Sequence, residues 1–138
     1  MRILIADDDN IIREILFRSL SLWGYEPETV SDGDEAAAVL LSDNRPRVAL
    51  LDWEMPGVNG LTLCQRNAAR RNLRPTYCIL LTVHSTANDI SKGLEAGACD
   101  FLAKPLHHLL LRRRLAVWRR LVEVEESHHV AALALEGP

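Results

Sequence analysis

Four short apolar segments of the chain each end beside a side chain that could take part in a reaction. These side chains are a run of three carboxylates, a single carboxylate, a hydroxyl and an amine: Asp7-Asp8-Asp9, Asp52, Thr82 and Lys104. Carboxylates that lie close together repel one another, and Mg²⁺, which prefers oxygen ligands, can relieve that repulsion. The set therefore favours metal-assisted chemistry on a negatively charged group such as a phosphoryl.

These groups suggest one reaction if the fold brings them together. The candidate metal ligands are three carboxylates and one backbone carbonyl: Asp7, Asp8, Asp52 and Glu54. A carboxylate on that metal can attack a phosphoryl group as an oxygen nucleophile and form an acyl phosphate. The ammonium of Lys104 would stabilise the transferred charge from another side, and the hydroxyl of Thr82 would donate to a phosphoryl oxygen.

Each of these residues also has an ordinary structural explanation. The sequence "DDDN" before a helix is more often a capping turn than a metal site. Thr82 alone could be a strand-end hydroxyl bonded to the backbone, and Lys104 alone a solvated charge. Four strand ends that each carry a required group are a more specific signal than any one of them.

The spacing of apolar residues predicts the elements that position these groups. Five short runs are predicted as strands, most of them buried on both faces: residues 3–6, 26–30, 48–51, 78–81 and 100–103. Helical patterns follow them, over about 12–23, 34–41, 60–71, 86–97 and 106–125. This alternation predicts an α/β fold with a doubly wound parallel sheet, in which ligands bind beyond the carboxyl ends of the strands.

Composition excludes several other classes of protein. The 138 residues are 48% hydrophobic and 25% charged with a formal net charge of −3, which indicates one globular domain without direct nucleic-acid binding. The apolar runs are too short to span a bilayer and the N-terminus is too soon acidic for a signal peptide, so we expect a cytoplasmic protein without a membrane partner. Cys64, Cys78 and Cys99 are expected to be free thiols.

Four motifs, in their order and spacing, resemble a known family. They are "ILIADDDN", "LLDWEMPGVNGL", "ILLTVHS" and "GACDFLAKP". Over about residues 1–122 the chain is similar to the response-regulator receiver domains of bacterial two-component signalling. The resemblance implies a flavodoxin-like (βα)₅ fold and leaves residues 123–138 as a C-terminal helical extension or tail.

The resemblance also implies the roles of the residues around the acceptor. Asp7 and Asp8 match the acidic metal-binding pair, and Asp52 matches the aspartate that accepts a phosphoryl group. Lys104 matches the invariant lysine, and the Pro105 that follows it is expected in a cis peptide. The implied cofactor is Mg²⁺, with Mn²⁺ as a substitute, and the implied phosphodonor is a histidine kinase or a phosphotransfer protein.

Two further residues match the family's switch residues, whose side chains move when the acceptor is phosphorylated. Thr82 resembles the switch hydroxyl, and Phe101 falls where the family has a Tyr or Phe whose ring changes orientation. Phosphorylation would then change the surface formed by the fourth helix, the fifth strand and the fifth helix, as a population shift. The resemblance thus implies a signalling domain with self-catalysed phosphotransfer and autodephosphorylation, not an enzyme.

The sequence departs from the family at three positions near these motifs. Val83 stands where a small residue usually follows the switch threonine, Phe101 lacks the hydroxyl of a switch tyrosine, and Leu106 replaces a frequent aromatic. None of these changes removes a chemically required group, so we expect an active receiver. Glu54 and His84 occupy positions that tend to tune the lifetime of the phosphoryl group in this family.

The last helix carries more apolar surface than one sheet requires. One stripe consists of Leu106, Leu110, Val117, Leu121 and Val124, and a second of Leu111, Leu115, Trp118 and Val122. A helix that packs on a sheet needs one such stripe. The second stripe could pack on a partner subunit, so we expect that Trp118→Glu weakens self-association. A homodimer could form there or through the surface of the fourth helix and fifth strand.

Two other functions remain open from the residues. In a haloacid-dehalogenase-like phosphatase, Asp7 would be the nucleophile and Asp9 the acid/base, although the chain is short for such an enzyme and lacks a late acidic pair. A receiver fold could also serve only as a dimerisation module that is never phosphorylated. An output domain, such as the diguanylate cyclases that follow similar helices, could be missing from these 138 residues, or the receiver could stand alone.

Overall fold

A five-stranded parallel sheet with five helices forms the fold. In the computed structural model, which describes residues 1–70, 74–83 and 85–135, the strands run in the order β2-β1-β3-β4-β5. The strands are β1 (Arg2–Ala6), β2 (Glu26–Val30), β3 (Val48–Asp52), β4 (Tyr77–Thr82) and β5 (Asp100–Ala103). The helices are α1 (Asn10–Leu22), α2 (Gly33–Leu41), α3 (Gly60–Ala69), α4 (Ala87–Glu95) and α5 (His108–Leu135). This order confirms the predicted doubly wound (βα)₅ sheet.

The sheet is covered on both faces, which explains why its inner strands show no polar alternation. On one face, Ile5, Leu50 and Leu81 join the core formed with α1 and α5. On the other face, Leu51 and Leu80 join the core formed with α2, α3 and α4. Because every inner strand contributes apolar residues to both layers, neither face of the sheet is left to solvent.

Side-chain caps define the starts of four helices. Asp9 caps α1, Asp32 caps α2 and Asn59 caps α3, each by accepting hydrogen bonds from backbone N–H groups of the first turn. Thr86 caps α4 in a capping box with Asp89. The caps from Asn59 and Thr86 confirm the predicted starts of α3 and α4. The predicted end of α3 at Arg71 lies outside the described residues.

The last helix is longer than predicted and uses the other stripe for its core contact. It extends over 28 residues to Leu135, whereas the sequence pattern predicted an end near Glu125. Leu111, Leu115 and Val122 are buried against the sheet and Trp118 packs beside them. The assignment of this stripe to a partner subunit was therefore wrong.

The remaining stripe of α5 faces outward along most of its length. Leu110, Val117, Leu121 and Val124 are exposed, while Leu106, before the helix, packs against the core. Both stripes have similar composition, so the sequence alone could not tell which one the sheet would cover. The helix continues across residue 122, and the division into a domain over 1–122 and an extension over 123–138 stays a prediction.

Polar contacts attach α5 to the amino edge of the sheet, where the strands begin. Arg47, just before β3, donates hydrogen bonds to Glu125 and Glu126, the latter at 2.6 Å, and the hydroxyl of Tyr77 donates to Glu125. At the start of β5, Asp100 accepts hydrogen bonds from Arg114 at 2.9 Å and from the indole of Trp118 at 3.0 Å.

Two predictions from composition can be compared with the structure. Cys64, Cys78 and Cys99 are free thiols, and burial raises the pKa of Cys99 to about 12. Within the described ranges, no helix is both long enough and apolar enough to cross a lipid bilayer.

Candidate functional site

The carboxyl edge of the sheet, where the strands end, brings the predicted reactive residues together. Ala6 pairs with Leu51 across β1 and β3, so Asp7 and Asp52 follow at the same level. Thr82 pairs with Ala103 across β4 and β5, and Lys104 follows at the same edge. Four neighbouring strands thus bring two carboxylates, a hydroxyl and an ammonium to one edge of the sheet.

Three carboxylates form a compact acidic cluster at this edge. Oxygen atoms of Asp7, Asp8 and Asp52 all lie within 4.8 Å of one another. Asp7 is fully buried, Asp52 is 8% exposed and Asp8 is exposed. The cluster is therefore closed towards the sheet and open towards solvent on the side of Asp8.

The buried carboxylate of Asp7 is held in place by several hydrogen bonds. One oxygen accepts from the backbone N–H of Asp9 at 2.9 Å, and the other accepts from the ammonium of Lys104 at 2.8 Å. The guanidinium of Arg13, from the first turns of α1, donates to the backbone carbonyl of Asp7 at 2.8 Å. These bonds fix the loop between β1 and α1. No sequence signal indicated this structural role of Arg13.

Lys104 lies between the two buried carboxylates. Its Nζ is 2.8 Å from Asp7 and 3.4 Å from an oxygen of Asp52. The backbone N–H of Lys104 donates to the carbonyl of Thr82 at 2.8 Å, which ties the end of β5 to the end of β4. The peptide bond to Pro105 is cis, as predicted.

The electrostatics of the cluster disfavour a second negative charge beside Asp7. Burial, followed by the charge of Asp7, raises the pKa of Asp52 to about 6, although Lys104 opposes the shift. Burial also disfavours the charged form of Lys104, but its hydrogen bond to Asp7 and the charges of Asp7 and Asp52 outweigh it and raise the lysine pKa. The site thus holds more negative charge than its single ammonium can balance.

Two glycines shape the loop that follows Asp52. Gly57 has φ of +78°, a conformation that favours glycine, and a Cβ there would lie 2.9 Å from the carboxyl of Asp34. A Cβ at Gly60 would lie 2.4 Å from the backbone carbonyl of Asp52. Because glycine has no Cβ to meet that carbonyl, α3 can begin directly against the end of β3. Glu54 is exposed in this loop, and the metal-binding role of its backbone carbonyl stays a prediction.

The predicted switch residues lie in the two strands beside Asp52. Thr82 is buried, one residue beyond Leu81, the partner of Asp52 in β4. The half-buried ring of Phe101 packs edge-to-face on Trp53, with the centroids 6.2 Å apart. Sequence reasoning did not anticipate this contact, which joins the residue after Asp52 to β5. Val83 is 67% exposed, and His84 lies outside the described residues.

Comparison with known proteins decides the family. A family model described as the response regulator receiver domain matches residues 3–116. The chain belongs to this family. Response regulators of this kind receive phosphate from histidine kinases, and the structure places the matching residues of this receiver domain at one edge of the sheet.

A curated relative extends well beyond the receiver domain. The response regulator MprA of Mycobacterium avium (strain 104) is 41% identical over 133 residues, which is 95% of this chain and 57% of the relative. The receiver domain thus spans just over half the length of the curated relatives it matches.

Solved structures share the fold. The receiver domain of the Francisella response regulator 1452 matches with a TM-score of 0.79 and 26% identity, over 87% of this chain and 98% of that one. The receiver domain of the sensor histidine kinase PA1611 from Pseudomonas aeruginosa PAO1 has a magnesium ion coordinated in the active site cleft. It matches with a TM-score of 0.73 and 29% identity, over 85% of this chain and 95% of that one.

The donor set of the acidic cluster fits the same kind of ion. Mg²⁺ takes oxygen ligands in octahedral geometry, with opposite ligands roughly 4 Å apart, and usually keeps several waters. Asp7, Asp8 and Asp52 offer oxygens at that scale, and exposed Asp8 leaves room for water and for a phosphoryl oxygen. A divalent cation would also offset the excess negative charge of the cluster.

The geometry does not favour the phosphatase alternative. That function needs Asp9 as an acid/base, but the Asp9 carboxylate accepts hydrogen bonds from the N–H groups of Ile11 at 2.8 Å and Ile12 at 3.2 Å. The proposed nucleophile, Asp7, is fully buried and bonded to Lys104. Asp9 is therefore a helix cap in this receiver domain.

Proposed function

We propose that this receiver domain accepts a phosphoryl group on Asp52 from a histidine kinase or a phosphotransfer protein, in a reaction that depends on Mg²⁺. The observation that carries the proposal is the position of the Asp52 carboxylate, 3.4 Å from the Lys104 ammonium and within one cluster with Asp7 and Asp8. It is only 8% exposed, but it lies beside exposed Asp8, so a donor can approach from that side.

Each residue of the site would have its own role in an in-line phosphoryl transfer. A carboxylate oxygen of Asp52 attacks phosphorus while the P–N bond of the donor phosphohistidine breaks, and the leaving imidazole keeps the electron pair and takes a proton from solvent. Lys104, already 3.4 Å from Asp52, stabilises charge on the transferred oxygens. Mg²⁺ (or Mn²⁺), held by Asp7, Asp8, Asp52 and the backbone carbonyl of Glu54, would supply further electrostatic stabilisation.

Two residues would pass the change on to the surface. The Thr82 hydroxyl, at the end of β4, would donate to the new phosphoryl group, and Phe101 would change its packing on Trp53. Because Phe101 sits on β5 between α4 and α5, these movements would alter the α4-β5-α5 surface, which is the proposed contact with an output domain, a partner or a second copy. A cytoplasmic location belongs to this proposal, since free buried thiols suit a reducing compartment.

Trapping the acyl phosphate tests the proposal directly. The purified chain is incubated with acetyl phosphate and Mg²⁺, reduced with borohydride and analysed by peptide mass spectrometry. We expect the label at Asp52, its loss with EDTA, and its loss in Asp52→Asn. A label at Asp7 would instead support the phosphatase, and the absence of any label would support the dimerisation module.

Asp9→Asn is the matched control for this experiment. It removes a carboxylate two residues from Asp7, yet asparagine caps helices as well as aspartate does. The receiver mechanism therefore predicts normal labelling in Asp9→Asn. A phosphatase that used Asp9 as its acid/base would turn over more slowly in this variant.

A further inference from the structure

A second charged cleft lies at the amino edge of the sheet, opposite the acceptor site. Its volume is about 790 Å³, within the range of small-molecule sites. One wall is formed by the segment 43–47 that leads into β3, together with Arg2 and Arg74, and the other by α5 from Arg119 to Ser127. The proposed phosphotransfer uses none of these residues.

The cleft is rich in guanidinium groups although the chain as a whole is acidic. Five arginines line it: Arg2, Arg45, Arg47, Arg74 and Arg119. Only three carboxylates line it, those of Asp43, Glu123 and Glu126, whereas the whole chain has a formal net charge of −3. Arg2 pairs with Glu28 and Arg47 with Glu125, both outside the lining, so the guanidiniums most available to a ligand are those of Arg45 and Arg119.

Two of these arginines, one on each wall, are weakly engaged with carboxylates. Half-buried Arg45 donates to the carbonyls of Ser42 and Arg74, and no carboxylate within the described ranges pairs with it. Arg119 stacks over the ring of Tyr25 at 5.5 Å and reaches Glu123 only at 3.8 Å. Burial, followed by the nearby charges of Arg70 and Arg47, lowers the pKa of Arg45, although the charge of Asp43 opposes the shift.

We propose that this cleft binds a small anion that carries two or more phosphate groups. Guanidinium forks match phosphate oxygens in planar, two-point hydrogen bonds and stay charged at any physiological pH. Arg45 and Arg119 line opposite walls of the cleft, so a ligand with two phosphates can offer one phosphate to each. Free pyrophosphate and the diphosphate of a nucleotide share this chemistry.

Binding at this cleft is coupled to α5. Arg47 and Arg74 line the cleft and also hold Glu126 of α5. A bound phosphate competes with Glu126 for these guanidiniums, so its binding loosens the part of the helix beyond residue 125. The ligand thereby acts on the helix that leaves the domain, at the edge remote from Asp52.

Calorimetric titration of the full chain in EDTA tests the site without the acceptor chemistry. We expect saturable binding of pyrophosphate and ADP, equally strong in Asp52→Asn, and about tenfold or more weaker in the double variant Arg45→Gln/Arg119→Gln. Inorganic phosphate should bind far more weakly, and added salt should weaken all binding. Amide hydrogen exchange over 126–135 should become faster with pyrophosphate.

The control is a double variant with the same loss of charge outside the cleft, Arg113→Gln/Arg120→Gln. Both of its arginines are exposed on α5. Equal weakening in the two double variants, equally tight binding of inorganic phosphate, or no saturable binding would each overturn the site. Pyrophosphate binding without faster exchange beyond residue 125 would overturn the coupling to α5. If ADP binds and pyrophosphate does not, the diphosphate group is not what the cleft recognises, and the proposal fails.

Discussion

The two edges of the sheet arrange their charged groups in opposite ways. At the carboxyl edge, Asp7 and Asp52 share the ammonium of Lys104, and the carboxylate of Asp8 lies in the same cluster. At the amino edge, the carboxylates that reach the sheet from α5 are matched by cations. Arg47 and Arg74 hold Glu126, and Arg47 also holds Glu125.

The unbalanced carboxylates at the carboxyl edge are available for chemistry, whereas the paired carboxylates at the amino edge attach α5 to the sheet. A carboxylate crowded by like charge stores unfavourable energy that a metal ion or a phosphoryl group can release. A carboxylate between arginines gains nothing from such a ligand and instead fixes two elements together. The same residue types thus serve function at one edge and structure at the other, and the local balance of charge tells which.

Among the charged groups, breaking the matched pairs at the amino edge should cause the largest loss of stability. Arg47 is 11% exposed, holds both glutamates and donates to the carbonyl of Pro75 at 3.0 Å. Arg47→Met removes one donor from each of these three acceptors, although Glu125 keeps Tyr77 and Glu126 keeps Arg74, so we expect a loss of about 3 kcal/mol in the free energy of unfolding. Urea denaturation measures it.

Arg113→Met is the matched control for this loss. Arg113 is exposed on the same helix, and its removal should change the free energy of unfolding by less than about 0.5 kcal/mol. Equal stability of Arg47→Met and Arg113→Met would show that the attachment of α5 contributes little.

Relieving the crowded charge at the carboxyl edge should stabilise the protein. Mg²⁺ that binds only the folded state raises the free energy of unfolding, by about 2.7 kcal/mol at a hundredfold excess over its dissociation constant. Thermal unfolding with and without EDTA measures the shift. Asp8→Asn should lose most of it and Asp9→Asn should keep it, because only Asp8 belongs to the cluster. An equal shift in both variants would place the ion elsewhere.

Two buried acids, one at each edge, should respond to the same substitution with opposite signs. The folded pKa of Asp52 is raised to about 6 from an ordinary 3.8, so the metal-free folded state loses stability as pH rises from about 4 to 6. Asp52→Asn removes that loss and should gain about 3 kcal/mol at pH 7 in EDTA. The gain should vanish below pH 4, where Asp52 is protonated in both states.

Asp100 provides the contrast at the amino edge. Its carboxylate accepts from Arg114 at 2.9 Å and from Trp118 at 3.0 Å, so Asp100→Asn should lower the free energy of unfolding by about 1 kcal/mol at pH 7. Denaturation curves of both variants across pH 4 to 7 test the pair. A loss of stability in both at pH 7 would contradict the contrast between the edges.

The sequence predicted the contacts at the carboxyl edge much better than those at the amino edge, and the reason is physical. Parallel strands must end side by side, so Asp7, Asp52, Thr82 and Lys104 could be placed at one edge from strand ends alone. The contact of Arg47 with Glu125 depends on the direction and rotation of α5, which spacing does not specify. The apolar stripes stop at Val124, so the sequence predicted a helix end near Glu125, yet the alanines and leucines that follow continue the helix to Leu135.

The smallest effect on stability is expected from a substitution in the exposed stripe of α5. This is the stripe that the sequence analysis had assigned to the sheet. Leu121 is 40% exposed, and the aliphatic stem of a lysine can cover much of the same surface, so Leu121→Lys should change the free energy of unfolding by less than about 1 kcal/mol. Trp118→Glu, on the covered stripe, should be strongly destabilising instead, because the indole packs on Tyr77 with ring centroids 5.0 Å apart and donates to Asp100.

Self-association of the chain can be tested with the same two variants. Since Leu121 lies outside the core, any dimer formed through α5 should weaken in Leu121→Lys while the fold stays intact. Sedimentation at several concentrations, with and without beryllofluoride, measures it, and Asp43→Lys, a charge change on the exposed loop before β3, serves as the control. A dimer that withstands Leu121→Lys must use another face, of which the α4-β5-α5 surface beside Phe101 is the alternative.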